Sequence, residues 1–130
     1  MSLAVEHRPY DAGAYAGAKP AESAKLAPGM IVYVTQCLSG GLFEVTPDRA
    51  NRRALGIVTH VTADGMAQVQ TDGTLTLRGL SCAEPKHQLA VGNSVCWDPE
   101  GTVLRSHSAN SIGYVLHRTP FTVRLQITHA

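Results

Sequence analysis

Residues 121–127 alternate without interruption, with Phe121, Val123, Leu125 and Ile127 on one side and Thr122, Arg124 and Gln126 on the other. Successive side chains of a strand point to opposite faces, so a period of two writes one apolar and one wet face. The same period runs less cleanly through Leu55, Ile57 and Val61. It returns in Ala67 and Val69 between Gln68 and Gln70, and in Leu75 and Leu77 between Thr74, Thr76 and Arg78. No stretch keeps a 3.6-residue period long enough for a substantial helix, which restricts the chain to an all-β fold.

Turn chemistry falls between these runs. Asp64-Gly65 and Asp72-Gly73 are short-hairpin dipeptides, because Gly tolerates positive φ and Asp nearly so. Asp98-Pro99-Glu100-Gly101 has the residue preferences of a type I turn, which makes Ser94–Trp97 and residues 102–105 hairpin partners. Ser39-Gly40-Gly41 joins strands predicted at residues 31–35 and 42–45. Thr46-Pro47-Asp48 reads as an N-cap followed by Pro at the first helical position and predicts one helical turn before Arg53. Eight to nine short strands at this spacing predict a compact β-sandwich or partly closed barrel.

Before Pro28-Gly29 the character changes. Residues 11–27 are dominated by Ala, with Gly13, Gly17 and Pro20 and almost no branched apolar side chains. Such a stretch cannot build a core, and a helix over residues 20–27 would be marginal by itself. The chain therefore divides into an extended N-terminal arm, residues 1–28, and a single β domain, residues 29–130. Ordering the arm requires contacts from outside it, on a neighbouring subunit or another surface, the alternative being that it packs back on its own domain. Tyr10 and Tyr15 are its natural anchors, since each buries a ring while keeping a hydroxyl for a polar partner. Leu3, Val5 and Leu26 add apolar contacts, and His7 and Arg8 suit acidic groups. On this reading, removing residues 1–27 leaves the thermal unfolding of the β domain nearly unchanged.

The 130 residues suffice for one core. Lys and Arg number 11 against 10 Asp and Glu, and a net charge of +1 provides no field to gather a polyanion. Two Phe, four Tyr and one Trp are few for the stacking platforms of single-strand binders. Nucleic acid and membrane are accordingly not expected partners. Arg49, Arg52 and Arg53 read as a solvated loop beside Asp48, and Trp97 as a core residue next to its turn. Cys37, Cys82 and Cys96 are odd in number and lack a C-x-x-C pair, so neither a disulfide framework nor a zinc knuckle is expected. The first residues show no basic region followed by an apolar run of the signal-peptide kind, and synthesis in the cytoplasm is the expectation.

Catalytic patterns are equally scarce. A thiol nucleophile, Cys82 or Cys96, would draw its base by spatial pairing from His7, His60, His87, His107, His117 or His129. Cys96 alternates with Val95 and Trp97, however, and Cys82 lies in the link of residues 81–85, which favours structural cysteines. Metal-ligand spacings of the H-x-H or H-E-x-x-H type do not occur. Asp64, Asp72 and Asp98 are accounted for by turns, and Gly40-Gly41 lacks the following motif of a phosphate loop. Neither catalytic residues nor a cofactor or metal site are expected.

One cadence spans the C-terminal half: Leu55-Gly56-Ile57-Val58, two Asp-Gly turns, Val91-Gly92-Asn93-Ser94-Val95-Cys96-Trp97-Asp98 with Gly101-Thr102-Val103, Ile112-Gly113-Tyr114-Val115, and the closing strand. It resembles the small capsid decoration, or cement, proteins of tailed bacteriophages. Those chains carry a G-x-x-V-Y-W-D-like element, a G-x-V-T strand, an I-G-x-A-like strand and a final alternating strand. The resemblance covers residues 55–127, with residues 30–45 a looser match. Cys96 stands where the family often has Tyr or another apolar residue, and Tyr114-Val115 replaces smaller ones. The resemblance implies a non-enzymatic module on the outer capsid surface of the virion. There it would bind the major capsid protein at junctions of an expanded head, as a homo-oligomer for which the family suggests a trimer. The alternatives are a small SH3-like or OB-like barrel recognising nucleic acid or peptide, and a small β-barrel enzyme with a thiol or histidine centre.

Overall fold

In the computed structural model, the described residues are 4–6, 8–21, 25–48, 50, 52–78, 90–97, 103–105, 112–119 and 121–128, with the backbone alone for 4, 96, 97 and 103–105. They form an all-β protein. The strands are β1 (Ala4–Glu6), β2 (Tyr15–Pro20), β3 (Ile31–Cys37), β4 (Phe43–Thr46), β5 (Ala54–Val61), β6 (Ala67–Gln70), β7 (Gly73–Arg78), β8 (Ser94–Trp97), β9 (Val103–Arg105), β10 (Gly113–Arg118) and β11 (Thr122–Ile127). A six-stranded sheet has the order β1-β7-β11-β10-β8-β9, and β2-β4-β3-β5-β6 close into a five-stranded barrel. The expected barrel is thus present, closed by five strands, and a second sheet accompanies it.

The closing strand explains how the sheet works. Val123, Leu125 and Ile127 of β11 are buried while Thr122, Arg124 and Gln126 lie on the wetter face. Phe121 departs from the alternation: it belongs to the turn before β11 and is 56% exposed. Leu75 and Leu77 of β7 register with Leu125 and Val123, and Val115 of β10 sits opposite Leu125. These side chains make one apolar face. It packs with Ile31, Tyr33 and Ile57 from the barrel wall into a single core cluster. A second cluster, Ala18, Val32, Val45, Val58, Ala67 and Val69, fills the barrel. Strands β3 and β5 therefore bury both faces, Val32 and Val58 inward and Ile31 and Ile57 toward the sheet. That is why their alternation is blurred in the sequence: a strand covered on both sides reads as a nearly continuous apolar run.

Several turns are where the dipeptides place them. Gly65, at φ +88°, turns β5 into β6, β3 and β4 pair across a short 3-10 turn at Ser39–Gly41, and β8 pairs with β9. The type I turn expected at residues 98–101 lies outside the described residues. Asp72-Gly73 is different. It does not close a hairpin, because β6 belongs to the barrel and β7 to the sheet, and the dipeptide carries the chain between them. Nor do the described residues between β4 and β5 form a helical turn. The Thr46 hydroxyl accepts the Asp48 amide at 3.3 Å, and Ala50 takes φ +39°, which interrupts a right-handed run.

The N-terminal arm needs the largest correction, since residues 4–6 and 15–20 are strands of this chain's own sheets. Strand β1 pairs with β7, Val5 opposite Leu77. Strand β2 closes the barrel, antiparallel to β6 and parallel to β4. The physical reason is that a strand can be held by its backbone: small side chains that cannot make a core still offer every amide and carbonyl to a ladder. Pro20 is accordingly the last residue of β2 and starts no helix.

Candidate functional site

Between β1 and β2 the chain passes from sheet to barrel, and it does so beside the β6–β7 crossing. The Thr74 amide donates to the Ala12 carbonyl (2.8 Å) and the Thr71 amide to that of Ala14 (2.9 Å). In return the Ala14 amide donates to Asp72 Oδ1 (2.8 Å) and the Ala12 amide to Thr74 Oγ1 (3.1 Å). Gln70, only 1% exposed, donates its amide to the carbonyls of Asp72 (3.0 Å) and Thr74 (2.7 Å). Two glycines permit the contact. A Cβ on Gly13 would lie 2.1 Å from the Asp72 carbonyl oxygen, and one on Gly73, at φ +85°, 2.0 Å from that of Ala12. The two crossings thus form one stitched seam.

Next to the seam, on the polar face of the sheet, lies a network of charged side chains. Asp11 accepts the Thr76 hydroxyl (2.7 Å) and Arg124 Nε (3.0 Å). Arg124 also donates to the Tyr10 carbonyl (3.3 Å) and lies over the Tyr10 ring, 4.4 Å from its centroid. The Tyr10 hydroxyl accepts from Arg8 (3.1 Å), and Arg8 pairs with Glu6, whose carboxylate holds the Arg8 guanidinium's pKa above its ordinary value. Arg78 reaches the same carboxylate at 3.8 Å.

The residues expected to make external contacts are therefore dispersed. Val5 packs against the sheet's core and Leu26 against the barrel's. Tyr10 and Arg8 belong to the network. Tyr15 stands on the barrel wall opposite Gln70, half exposed. Leu3 and His7 lie outside the described residues. Asp11, Thr76 and Arg124 were not singled out in the sequence, where Asp11 opens an Ala-rich run and Arg124 is one of several polar residues on a wet face.

A shallow apolar groove of about 280 Å³ lies on the barrel, lined by Val34, Phe43, Arg53, Ala54, Leu55 and Thr71. Besides it, Val91, Tyr114 and Phe121 present apolar surface to solvent with Tyr10 and Tyr15. Two carboxylates are held below their ordinary values by local hydrogen bonds: Glu44 by the Thr35 hydroxyl and the Gln36 amide, and Asp64 by the Thr62 hydroxyl. Among the described residues no group of three or more His, Cys, Asp or Glu side chains is placed to hold a metal ion. Cys37 is exposed. No helix among the described residues is long and apolar enough to cross a membrane.

The class that these features define is an all-β module built from a closed five-stranded barrel and a six-stranded sheet with a shared core. No family model matches this chain, and the curated proteins and solved structures contain no match either.

Proposed function

We propose that the protein is a non-enzymatic capsid decoration, or cement, protein. It binds the outer surface of an expanded phage head at junctions between major capsid proteins and stabilises the shell there. The observation that carries this reading is where the decoration-protein cadence falls. Val91 to Trp97, Ile112 to Val115 and the closing strand supply β8, β10 and β11, which are neighbours in one sheet in the order β11-β10-β8. While Leu55 to Val58 lies in β5 of the barrel, the C-terminal part of the cadence thus falls on neighbouring strands of one sheet. The exposed Val91, Tyr114 and Phe121 are on or beside the same strands and are the surface assigned to the shell. A homotrimer would engage several capsid subunits at once, so modest individual contacts would sum to slow dissociation. Binding restricted to the expanded lattice would stabilise that lattice by linkage.

The closed five-stranded barrel favours a second reading, a small-barrel module that recognises nucleic acid or peptide through the groove lined by Phe43, Arg53 and Leu55. Two measurements separate the readings. Purified protein should co-sediment saturably with emptied, expanded heads and raise the temperature at which they rupture, and it should leave single- and double-stranded DNA unshifted at low salt. Heads that remain bare at saturating protein refute the decoration reading, and a salt-sensitive DNA shift supports the second one.

A further inference from the structure

We propose that the slot between β4 and β6, which β2 fills, is an exchange site, and that β2 of one copy closes the barrel of a second copy to give a strand-exchanged dimer. The inference rests on the topology and is independent of what the protein binds. Strands β4, β3, β5 and β6 are joined to one another without β2, by pairings confined to residues 31–70. They form an open four-stranded sheet with two unpaired edges, at β4 and β6. An open edge is a template for any strand of the right register. Strand β2, which precedes β3 in the chain, satisfies both edges at once, Tyr15 opposite Gln70 and Lys19 opposite Glu44.

What holds β2 is nearly all main chain. Of its side chains only Ala18 belongs to the barrel's core cluster, while Tyr15, Gly17 and Lys19 are exposed. Recognition by backbone hydrogen bonds and one methyl group does not distinguish the chain's own β2 from that of an identical neighbour. The rest of the segment moves with it: β1 on β7, the seam of residues 12–14 on residues 71–74, and Asp11 on Thr76 and Arg124 all re-form on the acceptor. Exchange therefore preserves the contacts of residues 4–21, leaving only those of the link, such as Leu26 on the barrel core, to change. That is close to the condition under which swapping is a low-cost route to a dimer. The connection between the two copies runs from Ala21, bonded to Val45, to Gly29, bonded to Val58. Its seven intervening residues reach about 25 Å when extended, enough to connect two barrels side by side.

The register supplies the test. Lys19→Cys and Glu44→Cys are made on separate full-length chains whose native cysteines are replaced by Ser. The two chains are unfolded, mixed, refolded together and oxidised. The expected product is a disulfide-linked heterodimer formed only in the mixture, and while the dimer is the minor species its fraction rises about tenfold for a tenfold rise in chain concentration during refolding. In parallel, wild-type protein refolded at high concentration should sediment as a dimer that persists for hours after dilution. A mixture that yields no heterodimer above the single-chain controls, with wild type monomeric after refolding at every concentration, overturns the proposal. So does a Glu44→Cys chain that cross-links to an added capsid subunit and never to the Lys19→Cys chain, because the occupant of the slot is then a strand of the shell.

Discussion

Asp11 holds a position that composition gives no reason to expect, a carboxylate with an 11% exposed side chain inside an Ala-rich segment. Two donors satisfy it, the Thr76 hydroxyl and Arg124 Nε, and through them the N-terminal segment is tied to both β7 and β11. An exposed ion pair contributes at most about 1 kcal/mol, but here Asp11 is largely withdrawn from water and Arg124, with a 28% exposed side chain, is also stacked on Tyr10. Asp11→Ala should therefore cost about 1–3 kcal/mol in urea unfolding, since it strands a buried hydroxyl and a partly buried guanidinium. With Arg124→Met, a double-mutant cycle should give a coupling above about 0.5 kcal/mol. Additivity within the error of the cycle would show that the pair does not act as a unit.

At the scale of elements, β2 decides whether the barrel exists. Without it β4 and β6 become edges, the Ala21 amide no longer reaches Val45, and Ala18 leaves the barrel interior. A chain lacking residues 1–21 should consequently unfold more than about 10 °C below the intact protein, the shift that a loss of some 2–3 kcal/mol produces in a domain of this size. The opposite outcome follows from treating those residues as an arm outside the fold. Calorimetry of the truncated chain distinguishes the two, and an unchanged midpoint would mean that β2 contributes pairing without stability.

Across the whole molecule the charges are nearly balanced, and among the described residues most have local partners. Glu44 and Asp64 have folded values below their ordinary 4.5 and 3.8, so the stabilisation they supply is fully present above those values and is lost as pH falls through the lowered ones. The thermal midpoint should decline shallowly as pH falls below about 5, and Glu44→Gln together with Asp64→Asn should flatten that part of the curve. An identical decline in the double variant would place the acid sensitivity elsewhere.

The period of two in β11 and β7, the Gly65 turn, the Ser39–Gly41 connection and the pairing of β8 with β9 were all legible in the sequence, because each depends on residues within a few positions of one another. Local chemistry also made the chain all-β. The seam at Gly13 and Gly73 was not legible: Asp-Gly has the same conformational freedom whether the strands after it pair or part, and what parts them is the core that Ile31, Tyr33 and Ile57 form with Leu75, Leu77 and Val123. Nor was the place of β2, whose small side chains carry no amphipathic signal and which is held by main-chain groups that every residue but Pro possesses. By itself the sequence determined strands within residues 30–127 and which faces of the outer ones are apolar, but not β1 and β2. Only the tertiary structure decided which strands share a sheet, because backbone hydrogen bonds carry no sequence label and their partners are chosen by where distant apolar faces meet.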